Sequence, residues 1–291
     1  MARPSGIFLI FLFFGFLTSD APGRQTGPPR DASSAPTRVI KIPVRAITTQ
    51  EVSGTANADR AALLVSPGAE DELPEGPNGF DVLGDDSLAI TDPLRNSVSF
   101  FDSQGKFREA WKIGFSADSV TAVPNGNILI REARTGQVHV FDAKGQEQPE
   151  ERAEIPKSPE AKILSGTSGT VQRPAVGGFQ GGLLTIQFEK PGSTLVSLEN
   201  LGTDSEGDTY VALEATTGAT GDDINVSKHV RRYSADGKII AEIANLPLDY
   251  YIPPVNELRV HRALVYQLFA TKSEVRINIW NTNQRDFRSL R

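Results

Sequence analysis

Short apolar stretches, each followed by a polar turn, recur along most of this chain. Residues 79–111 contain four of them, and the pattern returns 40 residues further on without a gap. Leu88–Ile90 then corresponds to Ile128–Ile130, and Phe101–Asp102 corresponds to Phe141–Asp142. A repeat of about 40 residues with four short strands per unit is typical of a β-propeller blade. The pattern therefore predicts an all-β propeller built from four-stranded blades.

Three further copies are weaker. The third falls at about residues 159–197, the fourth carries an insertion at residues 215–225, and the fifth ends one outer strand short. Propellers close their ring by pairing an N-terminal strand with the last blade, which removes an exposed sheet edge. Apolar alternation predicts spare strands at 39–47 and 61–66 for this purpose. We expect five blades, or six if the two spare strands build a shortened blade.

The first 21 residues have the features of a secretory signal peptide, with a positive charge at Arg3, an apolar run at residues 7–17 and small residues up to Ala21. The apolar run is too short to span a bilayer, which needs about 20 residues. Pro22 is an unfavourable residue directly after a cleavage site. An uncleaved anchor, which would associate the protein with the membrane, therefore remains the alternative.

Composition then sets the domain boundaries. Residues 22–37 are rich in proline, glycine and serine and predict a disordered linker. The propeller domain is expected at 38–285, and the polar residues 286–291 form a tail.

Charge and cysteine content limit the function. The formal net charge is −6 and the pI is about 5.3, which argues against nucleic acid as a partner because phosphate binding needs a basic surface. The chain has no cysteine, so it uses no disulfides. An export signal without cysteine favours a periplasmic or secreted bacterial protein.

The first copy resembles an NHL-type repeat. The residues that carry this resemblance are Gly76-Pro77, Asp92, Asn96, Val98, Phe101-Asp102 and Gly105-Lys106. The second copy matches less closely, with Glu132 in place of Asp92 and Gly136 in place of Asn96. The resemblance implies an uncharacterised, secreted bacterial propeller of the six-bladed TolB-like kind. Because propellers carry out unrelated activities, it implies a fold rather than an activity.

The sequence predicts no catalytic set, no metal site and no cofactor. The three histidines (His139, His229 and His261) lie far apart in the repeat and have no metal-ligand spacing. Propeller lactonases resemble NHL propellers and bind a divalent cation in the channel, so we considered the carboxylates near the ends of inner strands: Asp81, Asp92, Asp118, Glu132 and Asp204. They occupy unequal places in their blades, which argues against a shared metal site. A divalent-metal-dependent hydrolase or lactonase with its site in the channel is therefore only the alternative function.

The leading prediction is a non-catalytic binding or protein-interaction module, for example in a cell-envelope complex. Its candidate surface is one rim of the propeller, where loops follow the second strands and the insertion emerges. A protein partner or a small ligand would bind there. Ordinary ion pairs with Asp92 and Glu132 are the alternative role for the arginines. The candidate residues are Arg95, Arg131, Glu132, Arg134, Asp222 and Asp223.

We predict that the exported protein begins at residue 22, because the small residues before it suit the signal peptidase. N-terminal sequencing of material recovered from the culture medium or the periplasm checks this prediction. An intact N-terminus at Met1 or Ala2 would show instead that the apolar segment is kept as an anchor.

Overall fold

The computed structural model describes residues 31–32, 35–47, 61–68, 72–149, 154–155, 160–176, 178–218 and 224–283. Over these ranges the protein consists of β-strands and one 3₁₀ turn, Pro93–Arg95, with no α-helix. None of them forms a helix long and apolar enough to cross a membrane. The strands are β1 (Asp31–Ala32), β2 (Arg38–Ala46), β3 (Leu63–Val65), β4 (Phe80–Val82), β5 (Leu88–Asp92), β6 (Ser97–Phe101), β7 (Phe107–Lys112), β8 (Ala117–Ala122), β9 (Ile128–Glu132), β10 (Val138–Phe141), β11 (Ala161–Ser165), β12 (Ser168–Arg173), β13 (Gly182–Gln187), β14 (Ser193–Thr203), β15 (Thr209–Thr217), β16 (Asn225–Tyr233), β17 (Ile239–Ile243), β18 (Leu258–His261), β19 (Leu264–Ala270) and β20 (Glu274–Asn281).

Five sheets follow the five predicted copies. Sheet 1 is β4-β5-β6-β7, sheet 2 is β8-β9-β10 and sheet 3 is β11-β12-β13. Sheet 4 is β14-β15-β16-β17 with β1 added, and sheet 5 is β18-β19-β20 with β2 and β3 added. The first strands contact one another in the order β8, β4, β18, β14, β11. Each copy thus turns its first strand inward, and the predicted β-propeller fold is confirmed.

The aromatic-Asp-x-x-Gly motif forms the turn before the outer strand. Asp102 Oδ1 accepts hydrogen bonds from the backbone N–H groups of Gln104 and Lys106, both at 2.9 Å. Gly105 follows with φ +84°, a conformation that residues with a side chain rarely adopt. A Cβ on Gly105 would also lie 2.5 Å from Cγ2 of Ile40 in β2. The motif is therefore explained by turn geometry and by close packing against the N-terminal strand.

Apolar side chains fill the spaces between neighbouring sheets. In β5, Leu88 and Ile90 pack toward sheet 5, whereas Ala89 packs toward sheet 2, because successive strand residues point to opposite faces. Other clusters join sheet 3 to sheet 4 around Val171 and sheet 4 to sheet 5 around Val265. Within the part of the chain that the structure describes, four clusters connect the sheets in the order 2, 1, 5, 4, 3.

The N-terminal strand closes the fifth sheet, as predicted. β2 pairs antiparallel with β20, so that Ile40 lies opposite Ile277 and Ile42 lies opposite Val275. The end of β2 then pairs in parallel with β3, the second spare strand. The missing outer strand of the last copy is thus supplied from the other end of the domain.

The insertion in the fourth copy is more regular than we expected. Its two sides continue the ladder between β15 and β16 as far as the pair Thr217 and Asn225. Alternating β-branched residues such as Thr216 and Val226 suit a strand, which is why the hairpin lengthens instead of forming a loop. Only its tip, residues 219–223, lies outside the described residues.

The signal peptide and the tail fall outside the described residues, as does most of the expected linker. Two parts of the linker are described. Asp31–Ala32 pairs in parallel with β17, and Thr37 donates hydrogen bonds from its backbone and its hydroxyl to the carbonyl of Ile279. These parts are therefore attached to sheets 4 and 5.

We predict that Ile42→Ala lowers the free energy of unfolding by about 2–5 kcal/mol, because Ile42 is fully buried in the closing strand. Val39→Ala is the matched control, since Val39 is exposed in the same strand and should cost only about 0.5 kcal/mol. Urea denaturation measures both values. Equal, small losses would mean that β2 does not hold the last sheet.

Candidate functional site

Arg95 is a half-buried residue with a structural role. Its Nη1 lies 2.9 Å from Asp92 Oδ2 and also donates to the carbonyl of Ala62. Its side chain is only 11% exposed. The guanidinium therefore joins the 3₁₀ turn of sheet 1 to the segment before β3. The sequence placed Arg95 on the rim because it follows a second strand. That position gave no indication that residues 61–66 cover its side chain.

The remaining rim candidates lie on sheet 2. Arg131 makes a bidentate pair with Asp118, with N–O distances of 2.8 and 3.1 Å. Arg134 is 85% exposed and lies 3.6 Å from Glu132, which accepts a hydrogen bond from Thr135. The ion pairs that we considered as the alternative are therefore present. Asp222 and Asp223 lie outside the described residues.

The carboxylates considered for a metal site are occupied by arginines. The five pairs are Asp81 with Arg259, Asp92 with Arg95, Asp118 with Arg131, Glu132 with Arg134, and Asp204 with Arg232. The described residues contain no group of three or more acidic, histidine or cysteine side chains that could hold a metal ion.

Each histidine faces a carboxylate in its own part of the molecule. His139 Nδ1 lies 2.7 Å from Glu147, and His261 Nε2 lies 3.1 Å from Asp86. His229 Nδ1 lies 3.0 Å from Glu242. The structure therefore brings no two histidines together.

A polar cluster that the repeat pattern did not reveal extends from the inner strands of sheets 1, 4 and 5 to the neighbouring strands of sheet 4. Asp81 of β4 links three sheets, because it accepts a 2.7 Å hydrogen bond from the backbone of Ala122 in β8 and pairs at 3.1 Å with Arg259 of β18. Val82 also donates its backbone N–H to Asp81, at 2.9 Å. Burial raises the pKa of Asp81, although Arg259 and these backbone donors oppose the change.

Lys228 lies at the centre of the second part of the cluster, where sheet 4 meets the segment before β18. Its ammonium group pairs with Glu257 and lies 2.8 Å from Glu214. Burial by itself would lower the pKa of Lys228, but the two glutamates outweigh it and raise the pKa. Glu257 also accepts hydrogen bonds from Tyr250 and, at 2.8 Å, from Gln267. Burial and Glu257 raise the pKa of Tyr250, so its phenol remains a donor.

Glu199 of β14 is the least constrained member of the cluster. It is exposed to solvent and makes no direct hydrogen bond or ion pair within the described residues. Surrounding protein nevertheless raises the pKa of its carboxyl group by desolvation, while the charges of Lys228 and Arg259 act in the opposite direction. Such a group, accessible yet close to fixed charges, can accept or exchange a ligand.

The cluster residues come from different positions in the repeat. Glu199 lies on a first strand, Lys228 on a third strand and Glu257 just before a first strand. The sequence therefore had no common spacing from which this cluster could be found. We name the side chains of Asp81, Glu199, Glu214, Lys228, Glu257 and Arg259 the channel cluster.

No family model matches the chain, and no curated protein matches it. Several solved structures are similar. A streptogramin B lyase is 13% identical, with 70% of this chain and 93% of that chain covered and a TM-score of 0.34. A gluconolactonase from Xanthomonas campestris is 9% identical, with 70% and 86% covered and a TM-score of 0.34. Hsv2 from Kluyveromyces lactis is 10% identical, with 66% and 70% covered and a TM-score of 0.31. Similarities this distant do not bear on function.

We predict a pH dependence of stability that comes from Asp92. Burial raises its pKa to about 6 despite the nearby Arg95, so the folded state favours the protonated carboxyl. This stabilisation is complete below the unfolded pKa of 3.8 and is lost as the pH rises through about 6. Between about pH 4 and pH 7, the wild type should lose about 3 kcal/mol of unfolding free energy relative to Asp92→Asn.

Asp102→Asn is the control with the opposite sign. The backbone donors of Lys106 and Gln104 hold the pKa of Asp102 below its usual value of 3.8, so the wild type should gain stability relative to this variant as the pH rises toward 3.8 and should change little above it. Urea denaturation of the three proteins from about pH 2 to pH 7 gives the differences. The Asp92 prediction is wrong if the gap between wild type and Asp92→Asn stays constant.

Proposed function

We propose that this chain is an exported, NHL-like binding module that captures a ligand or partner protein by a positively charged group entering the channel cluster. The observation that carries the proposal is Glu199, an accessible carboxylate without a direct partner among the described residues, beside fixed charges. The neighbouring side chains are held by ion pairs and hydrogen bonds. They therefore form rigid surroundings for the carboxylate of Glu199, which can exchange one binding partner for another.

The charge of the cluster favours a cation. Four carboxylates, of Asp81, Glu199, Glu214 and Glu257, face two cations, of Lys228 and Arg259. With all of them ionised the cluster carries two negative charges in excess. An ammonium or guanidinium group would reduce this excess and pair with Glu199, and the net charge of −6 would attract it over longer distances.

The rim of sheet 2 is the second part of the proposed surface. Arg134 is exposed, and its 3.6 Å separation from Glu132 leaves its N–H groups available to a partner. We propose that a partner protein contacts this rim through an acidic or polar patch, together with the hairpin tip that contains Asp222 and Asp223. Arg95 is no longer part of the proposal, because it is engaged inside the protein.

We favour binding over the metal-dependent lactonase alternative. A catalytic divalent cation needs several oxygen ligands that are free to converge on it. In the channel cluster, Asp81 is engaged by Arg259, and Glu214 and Glu257 are engaged by Lys228. Glu199 is left as a single available carboxylate, which suits a salt bridge better than a metal site.

We predict that arginine amide binds the full-length protein saturably and that Glu199→Gln weakens this binding at least about 10-fold, because one charged hydrogen bond contributes about 1.5–3 kcal/mol. Glu109→Gln removes the same charge from an exposed position on the outer strand β7 and should leave the affinity unchanged. Isothermal titration calorimetry gives the dissociation constants. Rising salt should weaken the wild-type interaction.

Two outcomes would contradict the proposal. One is binding that both glutamate variants weaken equally, which would indicate attraction to the overall charge and not to the channel. The other is the absence of saturable binding by arginine amide and by lysine amide.

A further inference from the structure

Ser227, His229 and Glu242 form an ordered hydrogen-bonded set outside the channel cluster. His229 Nδ1 lies 3.0 Å from Glu242 Oε1, and His229 Nε2 lies 3.2 Å from Ser227 Oγ. Ser227 and His229 are two residues apart in β16, so they project from the same face of sheet 4. Glu242 reaches His229 from the neighbouring strand β17. A serine, a histidine and a carboxylate joined through these atoms match the arrangement that activates a serine nucleophile.

The carboxylate fixes the tautomer of the histidine. An ionised carboxylate only accepts hydrogen bonds, so Nδ1 of His229 must carry the proton and donate the hydrogen bond to Glu242. Burial opposes ionisation of Glu242, but the hydrogen bond from His229 and the charge of Arg231 hold its pKa below the usual value. With the proton on Nδ1, Nε2 is the acceptor that faces the Ser227 hydroxyl, which also lies 3.4 Å from the carbonyl of Ala215. Rotation of the hydroxyl hydrogen from this carbonyl toward Nε2 brings the serine proton to the base.

Packing keeps the imidazole in place. His229 is 4% exposed and meets the ring of Phe188 edge-on, with 5.2 Å between the ring centroids. The guanidinium of Arg231 lies over the ring of this phenylalanine and donates at 2.7 Å to the carbonyl of Gln187. Since Arg231 also donates to Glu242 at 3.3 Å, the carboxylate has a counter-charge of its own. Arg231 by itself therefore balances the negative charge of Glu242.

Access to the serine comes from the end of the neighbouring strand. β17 pairs with β16 from Val230 to Tyr233, and the backbone N–H of Leu246 beyond it reaches the carbonyl of Lys228, so the cover along this edge of β16 ends next to Ser227. Ser227 is half-buried, whereas His229 is buried. The Ser227 hydroxyl is therefore the more accessible of the two side chains, and the histidine behind it is shielded from solvent.

We propose that Ser227 is an activated nucleophile that hydrolyses small carboxylic esters, with His229 as the general base and Glu242 as the residue that positions it. Oγ attacks the carbonyl carbon while its proton moves to Nε2 of His229. The tetrahedral adduct collapses, the bond to the alcohol oxygen breaks, and that oxygen takes the proton from Nε2. Water then attacks the acyl-serine by the same route, which releases the acid and restores Ser227.

The test is covalent labelling of the full-length protein with a fluorophosphonate, in which Oγ of an activated serine displaces fluoride from phosphorus. We expect one adduct, located on Ser227 by peptide mass spectrometry and absent from Ser227→Ala. Ser197→Ala is the matched control, because Ser197 lies on the opposite face of the same sheet and its loss should not change labelling. His229→Gln should slow labelling at least about 100-fold, the usual contribution of a general base.

The wild-type result stands even if a histidine variant folds poorly. Absence of an adduct on Ser227, at a probe concentration that fully labels trypsin, would overturn the proposal. Equal labelling rates in wild type and a folded His229→Gln variant would overturn it as well. Turnover of p-nitrophenyl acetate that disappears in Ser227→Ala and persists in Ser197→Ala would show that the labelled serine also hydrolyses an ester.

Discussion

The structure depends on the pairing of β2 with β20. Without β2 the last copy of the repeat would end on an open edge, and an unpaired strand edge invites aggregation. The N-terminal segment does more than cover this edge. Ile40 approaches the Gly105 turn so closely that a Cβ there would clash, and the carbonyl of Ala62 accepts a hydrogen bond from Arg95. The N-terminal segment is thereby attached to sheet 5 and to sheet 1 at the same time.

This closure positions the channel cluster. Because sheets 1 and 5 share one hydrophobic cluster, their first strands β4 and β18 lie side by side, and Asp81 can reach Arg259 while it also binds the backbone of β8. Sheet 4 adds Glu199 and Lys228 from the other side of sheet 5. The fold therefore holds fixed charges around one exposed carboxylate, and these ion pairs, rather than the loops, carry the proposed binding site.

The sequence predicted the parts of the fold that repeat. The 40-residue offset placed the strands of sheets 1 and 2, and the missing outer strand of the fifth copy predicted the closure by β2. It did not predict the channel cluster, because Glu199, Lys228 and Glu257 stand at unequal places in their copies. For Arg95 it offered the pair with Asp92 as the alternative role, but it did not predict the hydrogen bond to Ala62, which lies 33 positions earlier, a distance over which no local pattern carries information. Ser227 and His229 are two residues apart in sequence, but the register that brings Glu242 to them appears only in three dimensions.

We propose that the inside of the propeller, and not its outer surface, recognises a cationic group. A crystal structure of the full-length protein grown with saturating arginine amide tests this proposal most directly. We expect a guanidinium group in hydrogen-bond contact with the Glu199 carboxylate, with the pairs of Lys228 and Arg259 intact. A guanidinium bound only on the outer strands, with solvent at Glu199, would contradict it.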